Sequence, residues 1–439
     1  MKKNLLSALL PILLLTLTAQ PLWAGDVDIL IKKLVEKRIL TESEARDVLK
    51  EMTEEAEKEK AEVKESAKVV PAETAKEVAQ KEVKSDAVEL PEWVKKTKLQ
   101  GDFRLRYQTE SVENAPAITG LDIDEQDRWR IRWRLSAHTK VNEQWKVGFG
   151  LASGGSDPRS TNQTLRRGFS TGDVRLDYAY ANYAPYKWLS AWGGKFKNPI
   201  WHTKDLLWDG DIRTEGIAAK VKYSVNPDVG LFFTPAFFVL TESILGEQDD
   251  AYMWLLQAGV DWKISDKVSL KFAPTFYTFE NLKGTPGPIT LAIPTNSRDA
   301  EGNLLFDYDA IAFGLESGYK FGGFIPYLGV FGEYVHTFEP DDDETGWLAG
   351  ALVGHKELKD FGQWRFKYNY RRLERDAWPD FLPDSDFLFG ATNVKGSEAE
   401  FNFGLTSNVT IGLDYYFDNK FINTDIEQDL LQIDLLTKW

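Results

Sequence analysis

The stretch Arg128–His138, RWRIRWRLSAH, places an arginine at every second position of its first half and a large apolar side chain between each pair. In a helix, which repeats about every 3.6 residues, these side chains would scatter over all faces. In a strand the repeat is two residues, so Trp129, Ile131 and Trp133 share one face and the arginines share the other. The stretch therefore predicts a strand with one apolar face and one cationic face.

Alternation of this kind continues from Leu99 to the last residue. A strand that crosses a bilayer needs about 9 to 11 residues. Between Phe232 and Phe238, and between Trp347 and His355, apolar residues occupy both phases, so the facing of those two strands is ambiguous. The pattern predicts about sixteen strands, at residues 99–107, 127–139, 144–152, 173–183, 187–197, 215–225, 228–240, 251–263, 267–279, 307–321, 324–337, 345–356, 362–372, 398–406, 408–417 and 427–439.

The connections between these segments alternate between short and long. Short turns at one rim and long loops at the other are typical of bacterial outer-membrane barrels. The short connections are 141–144, 184–186, 226–227, 265–266, 322–323 and 407, and the long ones are 108–126, 153–172, 198–214, 281–306 and 373–397. The alternation predicts an all-β transmembrane barrel of antiparallel strands.

The two faces of such a barrel meet different surroundings. A bilayer offers backbone N–H and C=O groups no hydrogen-bond partners, so strands span it only as a closed sheet. The charged faces then line an interior that must hold water, because unpaired charges are too costly in a dry core. We therefore expect a water-filled channel. The basic positions that we predict to line it are Arg104, Arg106, Arg128, Arg130, Arg132, Arg134, Arg365, Lys367 and Arg371, with further lysines such as Lys197, Lys220 and Lys222.

A basic wall of this kind concentrates small anions through its electric field, in a salt-dependent way. Acidic residues on the predicted inner faces are fewer, and acid is concentrated in the loops, as at residues 341–344. One alternative stays open at this point. The wall could be merely solvated and pass solutes with little preference.

Aromatic residues near the strand ends fit the same interpretation. Tryptophan and tyrosine side chains favour the lipid-headgroup level, and Trp145, Tyr178, Tyr180 and Trp188 lie towards the ends of predicted strands. The last strand carries Leu431, Ile433 and Leu435 in phase and ends on Trp439. An aromatic C-terminus on an amphipathic last strand resembles the signal that the barrel-assembly machinery recognises.

Composition excludes several other classes of protein. The formal net charge of −15 argues against a nucleic-acid binder, because phosphates would be repelled by most of the surface. The chain has no cysteine, so it has neither disulfides nor thiolate metal sites. Its four histidines lie in separate segments without metal-ligand spacing, and no serine lies in a G-x-S-x-G motif. We therefore predict no enzyme activity, no metal site and no cofactor.

The first 24 residues have the features of a secretory signal. Lys2 and Lys3 precede the apolar run Leu5–Leu17, and Ala24 offers a small residue for cleavage. We expect residues 1–24 to be removed. After them, no apolar run reaches the roughly 18 residues that a membrane-spanning helix requires.

Residues 25–90 differ in composition from the rest of the chain. They are rich in Glu, Lys and Ala and show helical spacing of apolar residues, with Thr41 and Glu44 as a capping box. We predict a periplasmic helical hairpin that continues into a charged coiled-coil stalk and a linker. The segment is either a solvated spacer or a specific anchoring or oligomerising module. The barrel domain is expected over residues 91–439.

Two segments carry a resemblance to a known family. LQGDFRLRYQ at 99–108 and KNPIWHTKDLLWDGDI at 197–212 resemble segments of the putative porin family of Gram-negative outer-membrane barrels, and the resemblance covers nearly the whole mature chain. It implies a homotrimeric outer-membrane channel for passive diffusion of small hydrophilic solutes and ions, in contact with lipid and lipopolysaccharide. It also implies that the third long loop folds into the barrel and sets Asp205, Asp209 and Asp211 opposite the arginine cluster. If that loop stays outside, these aspartates only face water.

Two other functions remain open from the sequence. Phosphate-selective porins also combine an N-terminal coiled segment with a ladder of arginines, but here the loops are acidic and would repel phosphate at the mouth. The second alternative is structural. In it the helical arm binds peptidoglycan, and the barrel only anchors that arm in the outer membrane.

Overall fold

The computed structural model describes residues 91–114, 123–166, 168–169, 171–242, 249–291 and 293–439. The predicted signal peptide and the predicted helical segment lie outside these residues. The described residues belong to one compact unit, Leu90–Trp439. No helix among them is both long and apolar enough to cross a bilayer.

One short α-helix, seventeen strands and one 3-10 helix (Leu388–Gly390) follow one another along the described chain. The α-helix and the strands are α1 (Glu92–Lys95), β1 (Thr97–Glu113), β2 (Ile123–Lys140), β3 (Trp145–Ser153), β4 (Gln163–Thr164), β5 (Val174–Tyr186), β6 (Leu189–Lys197), β7 (Arg213–Asn226), β8 (Val229–Thr241), β9 (Ala251–Lys263), β10 (Val268–Glu280), β11 (Ala310–Lys320), β12 (Tyr327–Thr337), β13 (Thr345–Gly354), β14 (Trp364–Leu373), β15 (Val394–Gly404), β16 (Val409–Phe421) and β17 (Glu427–Lys438).

The long strands form a single closed sheet. Each pairs antiparallel with the long strands before and after it, and β17 pairs with β1 to close the ring. The two-residue strand β4 pairs with β2 from within the connection between β3 and β5. The other sixteen strands of the described chain form an antiparallel barrel, which confirms the predicted barrel and its strand number. Short turns and longer loops alternate around it, so the start of β1 and the end of β17 lie at the short-turn rim.

The two faces of β2 meet different surroundings, as its sequence predicts. The Trp129 side chain is 44% exposed on the outside, and Phe149 of β3 is exposed on the same face. On the inside, Arg106 of β1 lies opposite Arg130 of β2 in the register, and Arg106 is only 4% exposed. The apolar face is therefore the outer surface, and the arginine face belongs to the lumen.

Tyr178 and Tyr180, which we predicted for the outer aromatic rim, lie on the inner face instead. Their hydroxyl groups are 3.1 and 3.3 Å from the ring nitrogens of His138, which shares the arginine face of β2. The register between β3 and β5 shifts beside Asp177. An extra residue at a β-bulge reverses the phase of the residues that follow it, and this shift accounts for the difference.

Four loops pack inside the barrel. Three span residues 198–212, 281–309 and 374–393, and the fourth is the connection between β3 and β5, whose Arg159 and Thr161 are buried against Asp380 and Asp211. Two aspartates of the third loop tie it to the second, because Asp376 accepts a hydrogen bond from the Ser297 N–H at 2.8 Å and Asp380 accepts one from the Thr295 N–H at 2.8 Å. The buried apolar cluster joins side chains of these loops to inner side chains of the wall, among them Leu206, Leu207, Trp208, Leu282, Leu304, Trp378 and Leu382 of the loops and Phe238, Met253, Tyr277, Phe279, Val335 and Leu348 of the strands.

These loops fill much of the lumen along the inner faces of β7 to β13, and the loop 374–393 also reaches β14, β16, β17 and β1. Burying their apolar side chains against the wall is worth about 25 cal/mol for each Å² removed from water, and this burial stabilises the inward position of the loops. The wall from β14 through the closure to β2 also presents charged side chains to the loops, such as Arg371 and Arg106.

Candidate functional site

Six arginines form a strip on the inner faces of β1 and β2. We call this set the arginine strip, and it consists of Arg104, Arg106, Arg128, Arg130, Arg132 and Arg134. Alternation within each strand and the antiparallel register between the strands place all six on one face. The alternation predicted the inward face of each strand, and the resemblance to porins implied that these arginines form a cluster.

Three carboxylates on neighbouring positions of the wall share these cations. Asp102 accepts hydrogen bonds from Arg132 Nε at 3.0 Å and from Arg134 Nε at 2.7 Å. Asp434 of β17 accepts bonds from Arg106 Nε and Nη2 at 2.7 and 2.8 Å, and its carboxylate lies 3.6 Å from Arg104 Nη1. The third is Glu110, which pairs with Arg128. Six positive wall charges therefore face three negative ones.

Arg130 differs from the rest of the arginine strip. Its Nη1 donates to the neutral amide oxygen of Gln108 at 3.1 Å. Within the described part of the chain, no carboxylate oxygen lies within 4.0 Å of its guanidinium nitrogens, whereas each of the other five arginines has such a partner. Arg130 is thus a lumen cation that no acid of the described chain neutralises directly.

The loop 198–212 lies inside the lumen, and its three aspartates reach three different partners. Asp211 lies 3.3 Å from Arg134 Nη1 and accepts hydrogen bonds from the N–H and hydroxyl of Thr161. Asp205 lies 3.1 Å from Arg371 on β14, on the same side of the barrel closure as β17 and four strands from β1. Asp209 accepts bonds from the backbone N–H groups of Asp211 and Ser385, both at 2.8 Å. The pore-constricting role of all three stays a prediction.

Two further acidic residues meet the predicted arginines, and they come from the loop 374–393. Asp384 lies 3.2 Å from Arg371, and Asp386 lies 3.2 Å from Arg106. The sequence did not identify them as site residues. The apolar run Phe387–Phe389 beside them, together with Trp378, could have indicated that this loop is buried. Loops exposed to water rarely contain so many large apolar side chains.

The remaining predicted basic positions lie on β14. Arg365 and Lys367 lie 3.3 and 3.4 Å from the carboxylate of Glu400 on β15. Arg371 reaches Asp205, Asp384 and Glu398, and only 2% of it is exposed. These three positions are therefore paired more fully than Arg130, and their role as pore-lining cations stays a prediction.

The predicted assembly signal lies at the closing seam of the barrel. Trp439 exchanges two backbone hydrogen bonds with Gly101 of β1, at 3.0 and 3.1 Å. A Cβ at position 101 would come within 2.4 Å of the Trp439 ring, so only glycine admits the ring there. Leu431, Ile433 and Leu435 alternate with inward-facing residues of β17. That the barrel-assembly machinery recognises these residues stays a prediction.

We expect the contact between Asp211 and the arginine strip to persist in acid. Burial alone would raise the Asp211 pKa, but the charges of Arg132 and Arg134 and the Thr161 hydrogen bonds lower it from 3.8 to about 2. A carboxyl whose pKa falls on folding stabilises the folded state above its ordinary pKa, and this contribution is lost as the pH falls through about 2. Asp211→Asn should remove that acid dependence and weaken the loop contact by about 1–3 kcal/mol.

Single-channel current noise between pH 5 and pH 2 measures this effect. Wild type should become noisier only below about pH 3, and Asp211→Asn should be noisy throughout. Asp173→Asn, in an exposed loop position, is the control and should behave as wild type. Equal profiles for all three proteins would contradict the expectation.

A closed barrel of sixteen long strands with an apolar outside and a charged, loop-narrowed inside defines the class of transmembrane channel proteins. A family model described as "Putative porin" matches residues 69–305 and 297–439. The chain belongs to this putative porin family, which confirms the predicted resemblance. Family and fold fit an outer-membrane porin channel rather than an enzyme.

One solved structure supports the fold. The chain is similar to OprB of Pseudomonas putida with a TM-score of 0.51 and 10% sequence identity, over 79% of this chain and 95% of that one. It is also similar to a mutant of Rh. blastica porin with a TM-score of 0.43 and 11% identity, over 78% of this chain and 100% of that one. None of the curated proteins compared matches the sequence.

Proposed function

We propose that this porin passes small hydrophilic solutes and ions by passive diffusion and favours anions. The observation that carries the proposal is the arginine strip, in which six arginines share three wall carboxylates and Arg130 has no direct anionic partner in the described chain. A net positive charge on a low-dielectric wall raises the local concentration of anions and lowers that of cations.

The loops set the size of solute in this proposal. Loops 198–212, 281–309 and 374–393 occupy much of the lumen and reach the charged wall at Arg371 and Arg106, so solutes pass through the space that the loops leave open. Asp211 and Asp386 reach the arginine strip from the loops and oppose its charge. The expected selectivity is therefore a moderate preference for anions.

Reversal potentials in planar bilayers with a KCl gradient test the proposal. The sign of the wild-type reversal potential should show that chloride is more permeant than potassium. Arg130→Glu changes two charges beside the pathway, and at an effective dielectric constant of about 20 this should lower the chloride-to-potassium permeability ratio by about three- to tenfold. Lys359→Glu makes the same charge change in an exposed turn, where the Lys359 side chain is 72% exposed, and should leave the ratio unchanged.

A cation-preferring wild type would contradict the proposed selectivity. So would an Arg130→Glu variant that conducts normally with an unchanged permeability ratio. Salt gives a second check, because the preference should fade as the Debye length shortens from about 10 Å at 0.1 M to about 3 Å at 1 M.

We also propose the orientation and partners that the sequence implied. If the short turns face the periplasm, as in bacterial barrels generally, then the start of β1 and the end of β17 lie on that side. Residues 25–90 would then lie in the periplasm, within reach of peptidoglycan, and the longer loops would meet lipopolysaccharide at the cell surface. Trp439 would be read by the barrel-assembly machinery, and the barrels would assemble as homotrimers.

A further inference from the structure

A second basic region of the lumen lies beside the arginine strip, near the short-turn rim, and Lys197 borders both spaces. It is a cavity of 360 Å³ on the inner face of β5, β6 and β7, and its main lining side chains are Lys197, Lys220, Lys222, Tyr180, Trp192 and Phe196. The register places Lys220 of β7 opposite Ser190 of β6, and Trp192 of β6 opposite Ala218 of β7. A lysine of one strand and an aromatic residue of the next therefore lie on the same face, two positions apart. We call this space the lysine–aromatic cavity.

The charge of this cavity has one sign only. Four lysines line it, including Lys187 of the turn before β6, and no aspartate or glutamate does. Within the described residues, none of the four has a carboxylate oxygen within 4.0 Å of its ammonium group. Lys220 donates to the carbonyl oxygen of Pro199 at 2.8 Å, which fixes its position without neutralising it. A ligand that enters this space meets uncompensated positive charge.

The other walls of the cavity are aromatic. Trp192 and Phe196 lie with ring centroids 6.5 Å apart and ring planes 28° apart, and Tyr180 lies on the adjacent strand. Aromatic rings pack against flat apolar groups in offset or edge contacts. The volume lies at the lower end of the range of about 300–1,000 Å³ found for small-molecule sites, so one small ring with a charged substituent fits.

We propose that the lysine–aromatic cavity is a binding subsite for small aromatic carboxylates on their way through the channel. The carboxylate pairs with Lys220 and Lys222, and the ring packs against Trp192. Neutral acceptors that could recognise several hydroxyls are few here, since Ser190, Asn198 and Tyr180 supply the neutral side-chain oxygens of the lining, and the indole N–H groups of Trp188 and Trp192 only donate. The proposal rests on the proposed channel function, because the subsite lies on its diffusion pathway.

Four solutes distinguish the contribution of the carboxylate to binding from that of the aromatic ring. Each is added on the short-turn side of the channel at constant ionic strength, and the current is recorded in planar bilayers. Benzoate carries both features, acetate carries only the charge, benzyl alcohol carries only the ring, and gluconate carries the charge with hydroxyls. Benzoate should interrupt the current in a concentration-dependent way. Its apparent affinity should exceed those of the other three by about tenfold, because charge pairing and ring packing both contribute.

Two variants test whether benzoate binds in the lysine–aromatic cavity. Lys222→Gln and Trp192→Leu should each weaken benzoate binding by about fivefold. Lys98→Gln removes a lysine from β1 at the same rim but outside the cavity, and should leave binding unchanged. Benzoate that binds no better than acetate would overturn the proposal, and so would gluconate that binds as well as benzoate. Equal loss of binding in the Lys98→Gln variant would overturn the location.

Failure of this proposal can be told from failure of the proposed function. The KCl reversal potential, recorded in the same bilayers, reports the anion preference without benzoate. Calorimetric titration of benzoate into the detergent-solubilised barrel reports binding without any current. If the anion preference is normal but the titration shows no heat of benzoate binding, only the proposed subsite is wrong. If benzoate binds with measurable heat but the protein does not conduct ions, only the proposed channel function is wrong.

Discussion

Replacing Trp378 by alanine is expected to release the loops from the barrel wall and to raise the single-channel conductance. Trp378 is fully buried and connects three parts of the lumen. Its Nε1 donates to the carbonyl oxygen of Leu207 at 2.7 Å, and its ring lies 6.3 Å from that of Trp208 in the loop 198–212. Its ring also contacts Tyr277 of β10, with centroids 4.7 Å apart.

Truncating a buried tryptophan to alanine costs about 3–5 kcal/mol through lost contacts and the cavity left behind. The sixteen-strand sheet does not depend on these contacts, whereas the seating of the loops does. We therefore expect an intact barrel with a larger and noisier conductance. Trp347→Ala, at an outer-face tryptophan that is 38% exposed, is the control and should leave conductance unchanged. Wild-type conductance in Trp378→Ala would show that the loops are held by other contacts.

The barrel could be predicted from the sequence because strand alternation is a local property. Side chains alternate between lipid and lumen along each strand, so RWRIRWRLSAH alone indicates which face is which. Closure then follows from the bilayer, which tolerates no free strand edge. The same reasoning fails at a β-bulge, as Tyr178 and Tyr180 show, because one extra residue reverses the phase.

The two strands with ambiguous facing are explained by the loops. Phe238 of β8 and Leu348 of β13 are inner-face residues that are buried against loop side chains rather than exposed to water. Apolar residues therefore occupy both phases there, because the outer face meets lipid and the inner face meets packed loops. The apolar residues in both phases of these two strands therefore indicated that loops pack against their inner faces.

The charged site was predictable only in part, since long-range partners depend on how loops fold. The arginine strip follows from alternation within β1 and β2. The partners of Asp205 and Asp209 do not, because a loop of fifteen residues can reach many positions and its path is set by the packing of Leu207 and Trp208. The apolar run Phe387–Phe389 indicated a buried loop, but it could not tell which arginines Asp384 and Asp386 would meet.

Arg371→Leu is expected to have the second large effect, because this arginine holds two of the inward loops by charge. Its guanidinium nitrogens lie 3.1 Å from Asp205 of the loop 198–212 and 3.2 Å from Asp384 of the loop 374–393. It also contacts Glu398 of β15 at 2.5 Å and lies 4.5 Å from the centre of the Phe387 ring. Removing the cation leaves Asp384 without a cationic partner in the described chain, whereas Asp205 and Glu398 keep only Lys204, at 3.3 and 2.8 Å.

Breaking a buried ion pair by removing one partner costs about 3–5 kcal/mol, because the remaining charge is left uncompensated. We expect Arg371→Leu to unseat both loops at neutral pH and to raise conductance and current noise. Arg371→Lys keeps the charge but loses the planar fork of donors, so it should lie between wild type and Arg371→Leu. Normal, quiet currents in Arg371→Leu would show that apolar packing alone holds the loops.

The pH dependence of the two variants separates the two causes of loop seating. Acid neutralises carboxylates, so lowering the pH should partly restore quiet, smaller currents in Arg371→Leu. It should leave Trp378→Ala unchanged, because a missing tryptophan ring has no titrating counterpart. Conductance recorded from pH 7 to pH 4 measures both. Acid rescue in both variants, or in neither, would mean that Arg371 does not act through the charges of Asp205 and Asp384.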